Sequence, residues 1–386
     1  MTPFVLAAIS LAVWLYLVLA RGAFWLARER DDTAIVRPAA PPPVAIVVPA
    51  RNEADGIAQS VTSLLSQDYP ALSLIVVDDD SQDGTAEVAR DAAAALGAAD
   101  RLTVIAGQPL PPRWTGKLFA LKQGIAAAQE KAQEKFAPKY LMLTDADIVH
   151  AGDTLSWLVA HAEQHDLVLS SLTARWRCDN LAERFHIPAF IYFFAMLYPF
   201  AWVNRPDQRT AGAAGGCMLL RADALRAAGG IDVIREALID DCALAAAMKR
   251  QGPIWLGLTE RVASIRPYAS FREIRRMVAR SAYAQLGYSP LALAGTMIGM
   301  ALTYLVPPLS ALLDSGWAQL FGLAAWALMA ISFQPVLRLY RLSPLWGVAL
   351  PAISFAFMLY TLDSACQYAA GKGGSWKGRI QAKASQ

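Results

Sequence analysis

The amino-acid sequence predicts an α/β domain with a mostly parallel sheet, together with transmembrane helices at both ends of the chain. Three observations predict it. Short apolar strands alternate with helical stretches between Val44 and Leu143, a polar cluster directly follows three of those strands, and long uncharged runs lie near both termini. Hydrophobic residues make up 55% of the 386 residues and charged residues only 17%, where soluble domains carry roughly a quarter, so composition itself points to a membrane protein. The length accommodates a central domain of about 200 to 250 residues with membrane segments besides.

The strands come first. Val44 to Val48 is apolar and β-branched and ends at Pro49-Ala50-Arg51-Asn52-Glu53, after which a helical pattern runs to Leu65. Leu74–Val77, Leu102–Ile105 and Tyr140–Leu143 read as further strands, with alanine-rich helices over 85–96 and 118–135. Strand and helix alternate, so the sheet is predicted to be mostly parallel. Ligands bind such sheets at the carboxyl ends of the strands. There lie Arg51-Asn52-Glu53, Asp78-Asp79-Asp80-Ser81 and Asp145-Ala146-Asp147. Any one of these clusters is equally explained by helix capping, whereas three at one sheet edge suggest a metal and nucleotide site. Asp145 and Asp147, one residue apart at a strand end, can hold one Mg2+ or Mn2+ that bridges a diphosphate. No G-x-G-x-x-G or G-x-x-x-x-G-K-[ST] sequence occurs, so a Rossmann dinucleotide site and a P-loop are unsupported.

Later in the chain, Gly215-Gly216-Cys217-Met218 precedes a predicted helix, and Ile239-Asp240-Asp241-Cys242 opens an alanine-rich one. Arg272, Arg276 and Arg280 share one face of a basic helix over 271–290, which reads as interfacial. The aromatic stretch Phe185–Val203 reads as a second interfacial helix that lifts a lipid towards the site, with a buried core helix as the alternative. His161 and His165 lack the zincin pattern and are expected on the surface, and Trp255 is expected to pack in the core in preference to stacking on a sugar. Cys178, Cys217, Cys242 and Cys366 show no paired spacing and read as small core residues.

The run Pro3–Ala20, followed by Arg21, Arg28 and Arg30, reads as an uncleaved anchor. Three more runs, Leu291–Leu313, Trp317–Leu337 and Trp346–Ala370, are long enough to cross, although Val306-Pro307-Pro308 is expected to break the first. Arg21, Arg28, Arg30, Arg338 and Arg341 put the central domain on the inner, cytoplasmic side of its membrane. Three C-terminal crossings would then export Lys372, Lys377, Arg379 and Lys383, so either one run does not cross or the tail is an exception. The expected organisation is therefore an anchor with its basic flank over 1–34, a catalytic domain over 35–270, the interfacial helix over 271–290, transmembrane helices over 291–370 and a basic tail over 371–386. The net charge of +3 is modest, and no nucleic-acid partner is expected.

The ordered set Pro49-x-Arg51-Asn52-Glu53, Val77-Asp78-Asp79-x-Ser81, Gly116-Lys117, Thr144-Asp145-Ala146-Asp147 and Asp240-Asp241 resembles glycosyltransferase family 2, whose fold is the nucleotide-diphospho-sugar transferase (GT-A) fold. The resemblance covers about residues 44 to 280. Within the family, Trp114-Thr115-Gly116-Lys117, Ile239-Asp240-Asp241-Cys242 and the apolar C-terminal third are similar to the bacterial hopene-associated glycosyltransferases, relatives of ceramide glucosyltransferases.

The resemblance implies an inverting, metal-dependent transfer from a nucleotide-sugar donor, a UDP-sugar first, to a hydroxyl of a membrane lipid such as a hopanoid. It implies that Pro49, Arg51, Glu53, Asp79, Lys117, Asp145 and Arg280 serve the nucleotide, with Glu53 and Asp79 on the ribose and uracil. Asp147 with Asp145 would carry Mg2+ or Mn2+, Asp241 would be the general base and Asp240 its orienting neighbour. Gly215, Gly216, Tyr192 and Trp202 are the acceptor-side expectations. Met277 and Ser281 stand where a Gln-x-x-Arg-Trp motif around Arg280 would have Gln and Trp, which argues against processive polysaccharide synthesis. Transfer to a polyprenyl phosphate or sphingoid lipid is the alternative reaction, and a lipid-binding module or transporter the alternative class.

Overall fold

The computed structural model of the chain describes residues 3–132, 137–376 and 379–382. It divides into two compact units: an α/β unit of Glu29–Arg177 with Trp202–Pro267, and a helical unit of Met1–Arg28, Cys178–Ala201 and Tyr268–Gln386. The expected catalytic span of 35–270 thus gives up residues 178–201, which pack with the helices of the other unit.

The α/β unit is built on β1 (Val44–Ala50), β2 (Leu72–Asp78), β3 (Leu102–Ala106), β4 (Tyr140–Leu143), β5 (Ile148–His150), β6 (Leu169–Arg175), β7 (Met218–Arg221) and β8 (Ile254–Ser264). They form one sheet in the order β3-β2-β1-β4-β7-β6-β8-β5. The β1–β2, β2–β3, β1–β4 and β6–β8 pairs are parallel, whereas β4–β7, β6–β7 and β5–β8 are antiparallel, so four of seven pairings run parallel. All seven residues of β1 are buried, as expected of a parallel strand covered on both faces. The Gly116–Ala132 helix lies directly on that strand: a Cβ on Gly124 would stand 2.3 Å from Val47 Cγ1, so only glycine allows this approach. Residues 133–135 of the helix expected over 118–135 lie outside the described residues.

Two local expectations are corrected in this unit. Gly215–Cys217 leads into β7 instead of a helix, and the Ala222–Ala227 helix follows only afterwards. A four-residue apolar run carries too little periodicity to separate strand from helix. His161 is 6% exposed instead of superficial, because its ring stacks on Trp157 at 4.6 Å and meets Trp255 edge-on at 4.7 Å. Trp255 accordingly packs in that aromatic group, as expected of a core residue. Cys217 and Cys242 are buried as expected, whereas Cys366 is exposed on its helix.

In the helical unit, Pro290–Leu313 runs through Pro307 and Pro308 without breaking. A π-helical turn over Ala301–Leu305 precedes them, and such a widened turn accommodates the missing N–H groups and the proline rings. Three helices are long and apolar enough to cross a membrane by length and composition: Leu181–Val203, Pro290–Leu313 and Gly316–Leu339. This is compatible with a membrane protein, but the set differs from the expected one. Pro3–Leu19 has 17 residues, about 25 Å at the usual helical rise, which falls short of a hydrocarbon core of about 30 Å. The Leu350–Ala369 helix carries Asp363, clasped by Arg275 through two bonds of 2.9 and 3.0 Å. The expected tail residues Lys377 and Lys383 lie outside the described residues.

Candidate active site

β2, β1 and β4 lie side by side, so the segments that leave their carboxyl ends emerge next to one another. β4 pairs with β1 only as far as Val47, which leaves Pro49 where the ladder on that side has ended and its missing N–H costs nothing. Asn52 and Asp80 follow with φ of 49° and 59°, a left-handed conformation that Asn and Asp tolerate best among residues with side chains. The two turns lock together: Asn52 N–H donates to Ser81 Oγ at 3.0 Å, and Gln82 N–H donates to Asn52 Oδ1 at 2.9 Å. Arg51 donates to the Asp79 carbonyl and lies 3.7 Å from the carboxylates of both Asp79 and Asp80. Capping is real here too, but Asp83 performs it, accepting from Ala54 N–H at 3.0 Å and from Thr85 N–H at 3.1 Å.

The charge centre of the site is Lys117, from the first turn of the Gly116–Ala132 helix. Its Nζ stands 2.9 Å from Asp145 Oδ1 and 3.1 Å from Asp240 Oδ2. Burial alone would push its ammonium down, but Asp145, Asp240 and Asp241 outweigh burial and hold it well above the usual lysine range. Asp240 and Asp241 occupy the first turn of the Asp240–Lys249 helix, where the dipole favours negative charge. Asp241 accepts from Cys242 N–H at 2.7 Å through Oδ1 and from Gly215 N–H at 3.0 Å through Oδ2. Burial, and then the neighbouring Asp240 carboxylate, push its carboxyl up to about 6 despite those bonds and Lys117. Gly215 leaves room for both charged groups: a Cβ there would lie 3.2 Å from Lys117 Nζ and 3.5 Å from Asp241 Oδ2.

Arg266, just beyond β8, was not singled out by the sequence, yet it joins two of the expected site residues. Its Nη2 lies 2.9 Å from Glu53 Oε1 and its Nε 2.6 Å from Asp147 Oδ2. The only signal was its place after a long apolar strand, and nothing in the sequence shows that β8 ends beside Asp147, where Ile265 N–H donates to the Asp147 carbonyl at 2.9 Å. The structure therefore brings together Lys117, Asp145, Asp240, Asp241 and Gly215 on one side, and Glu53, Asp147 and Arg266 on the other. Trp202 is half-buried, and its carbonyl accepts from Lys249 Nζ at 3.2 Å. Tyr192 and Arg280 belong to the helical unit. Tyr192 corrects an expectation: fully buried, it bonds Ser332 Oγ at 2.7 Å and packs against Phe24 and Phe333, so it offers no surface to an acceptor. Arg280 is exposed at the end of the Phe271–Ala279 helix.

The donor set fits a hard divalent cation. Asp145 and Asp147 supply carboxylate oxygens, and the buried Asp240 Oδ2 has no aligned hydrogen-bond donor although Lys117 is close. Among the described residues no three His, Cys, Asp or Glu side chains form a closed metal cage. Mg2+ needs none, since it takes one or two carboxylates and completes its shell with water and substrate phosphates.

An open α/β sheet with acidic clusters along the carboxyl ends of adjacent strands defines a GT-A type of transferase fold. Residues 45–229 match the family model described as Glycosyl transferase family 2. Over that segment, just under half of the chain, the sequence is similar to a family of glycosyltransferases, which supports an enzyme of that kind. The match ends before Asp240, Asp241 and Arg266. Among solved structures, a mannosyltransferase from Pyrobaculum calidifontis in complex with GDP-Man and Mn2+ is similar at 21% identity and a TM-score of 0.57, over 95% of this chain and 98% of that one, which shows a shared fold. Glucosyl-3-phosphoglycerate synthase from Mycobacterium tuberculosis, in complex with Mn2+, UDP-Glc and glycerol 3-phosphate, is similar at 18% identity and a TM-score of 0.39, over 64% of this chain and 79% of that one. No curated protein matches the chain.

Proposed function

We propose that the chain transfers a sugar, with inversion, from a nucleotide-diphosphate donor to a hydroxyl of a membrane lipid, with a UDP-sugar as donor and a hopanoid as acceptor. The observation that carries this reading is the gathering of Asp145, Asp240 and Asp241 around Lys117, with Gly215 N–H fixing the Asp241 carboxylate. Asp241 takes the proton of the acceptor hydroxyl as its oxygen bonds to the anomeric carbon, while the bond from that carbon to the diphosphate oxygen breaks. The diphosphate departs as an anion and needs no acid, and a single displacement inverts the centre. Mg2+ or Mn2+, held by Asp147 with Asp145, would neutralise charge growing on the diphosphate. Lys117 supplies a fixed positive charge beside the same group. In this reading Glu53, Asp79 and Arg51 serve the nucleoside. The Pyrobaculum calidifontis mannosyltransferase that shares the fold is in complex with GDP-Man and Mn2+, which supports a nucleotide-diphosphate sugar as the donor class. An apolar helix, Leu181–Val203, enters the chain between β6 and the Gly215–Gly216 turn, which supports a lipid acceptor.

The test is release of nucleoside diphosphate from a panel of UDP- and GDP-sugars by the detergent-purified chain with Mn2+, with and without hopanoid or sphingoid lipids. Lipid-stimulated release is expected, and no turnover with any donor would overturn the reading. Two further results are expected. The kcat profile should fall on the acid side with a midpoint at about 6, because the base works only when deprotonated and Asp241 is held near that value. Arg266→Gln should lower the Mn2+ concentration for half-saturation about threefold in the absence of nucleotide, because a half-exposed ion pair no longer competes for Asp147. Mn2+ binding is read by the loss of its free electron-resonance signal.

A further inference from the structure

The turn that carries Gly215 and Gly216 hangs from two buried polar groups that the reaction leaves unused. On one side is Ser171 of β6, whose hydroxyl accepts from Ala214 N–H at 2.9 Å and has the Cys217 and Ala214 carbonyls at 3.0 and 3.2 Å as acceptors for its one proton. On the other is Thr144, at the end of β4. Its hydroxyl donates to the Gly216 carbonyl at 2.6 Å and lies 3.0 Å from His150 Nε2.

A hydroxyl has one proton. With that proton on Gly216, Thr144 must accept from His150, so the imidazole carries its proton on Nε2 and leaves Nδ1 bare. Nδ1 is buried and has no hydrogen-bond partner among the described residues, as this tautomer requires. His150 is 6% exposed, and burial pushes its imidazolium down to about 3, so the ring is a neutral, fixed donor. The strand that presents it closes on the turn a second time. Ile148, two residues earlier on the same face of β5, has its Cδ1 3.3 Å from where a Cβ on Gly216 would be.

We infer that His150 is a positioning residue, which acts through Thr144 to fix the Gly216 carbonyl and so steadies the short turn whose Gly215 N–H donates to Asp241. The inference rests on Asp241 being the base. Gly215 N–H donates to Asp241 at 3.0 Å. Without the His150 bond the Thr144 hydroxyl is free to rotate, the Gly216 carbonyl is held less firmly, and the turn that holds the Asp241 carboxylate in place loosens.

The experiment measures kcat and donor KM for the full chain with UDP-sugar and lipid, for His150→Leu, His150→Gln, Thr144→Val and the double variant Thr144→Val with His150→Leu. His150→Leu is expected to lower kcat about tenfold by misaligning the base, with donor KM nearly unchanged. His150→Gln, whose amide N–H reaches Thr144 from the place of Nε2, restores most of the loss. In the Thr144→Val background, His150→Leu costs nothing further, because the contact it removes is already gone. Additive losses, or no recovery of kcat in His150→Gln, overturn the inference and leave His150 a packing residue. If His150→Leu fails to show a cooperative thermal transition, Thr144→Val alone must lower kcat at unchanged donor KM and His150→Gln must not; the reverse result also overturns it. The coupling between His150 and Thr144 is read from kcat whichever group is the base. Near-normal activity of Asp241→Asn would sink the base assignment separately.

Discussion

Asp241→Asn is expected to lower kcat by roughly 10² to 10⁴ while donor binding survives, the range that a positioned general base contributes. Asparagine keeps the shape, and its carbonyl oxygen can still accept from Gly215 or Cys242 N–H, so the first turn of the Asp240–Lys249 helix is preserved. What disappears is the proton acceptor. The acid limb near pH 6 should vanish with it, since that limb belongs to the Asp241 carboxyl. Single-turnover sugar transfer and UDP titration separate the two readouts. Loss of transfer with intact UDP binding supports the assignment. Unchanged transfer points instead to an acceptor that arrives already ionised, such as a polyprenyl phosphate.

Lys117→Met is expected to abolish transfer and to destabilise the protein, and the destabilisation should depend on pH in a defined direction. Lys117 stands between Asp145 and Asp240, with Asp241 close enough to raise its ammonium further. Breaking a fully buried ion pair costs about 3–5 kcal/mol, but Asp145 is 37% exposed, so about 2 kcal/mol is the appropriate scale. Without the ammonium, Asp145 and Asp241, which burial already raises in the folded state, titrate further above their unfolded values. A carboxyl raised on folding destabilises once the pH exceeds its unfolded value and does so increasingly up to its folded one. The variant should therefore lose most stability at pH 8 and recover part of it at pH 5, where the carboxyls take up protons. Thermal unfolding at the two pH values checks this, and equal losses at both would remove Lys117 from the charge balance of the site.

What the sequence showed of the fold was its local part. β1, β2 and β4 were legible because buried strands read as nearly unbroken apolar runs closed by a polar turn, and β3, a half-buried edge strand, because Leu102–Ile105 is mostly apolar and β-branched. β7 was not, because four residues next to two glycines carry no periodicity, and its place between β4 and β6 is decided by pairing across the chain. The same limit applies to the site. Lys117, Asp145, Asp240 and Asp241 could be named from motifs, whereas Arg266 and His150 become visible only when β8 and β5 are paired and brought to Asp147 and Thr144. Tyr192 was misread for a related reason: an aromatic in an apolar helix looks the same whether it faces a ligand or Ser332 of a neighbouring helix.

The central position of β7 bears on how the chain is made. β4 pairs with β1 on one side and β7 on the other, and β6 pairs with β7 and β8. As the chain grows from its N-terminus, β3, β2, β1 and β4 come from one continuous stretch and can assemble early. The free edges of β4 and β6 then wait until residues 218–221 are synthesised, and the strongly apolar Leu181–Val203 helix emerges in that interval. An open, apolar strand edge is an invitation to pair with another chain. The newborn protein is thus most exposed to misassembly over a short, definable window, and placing that helix promptly would shorten it.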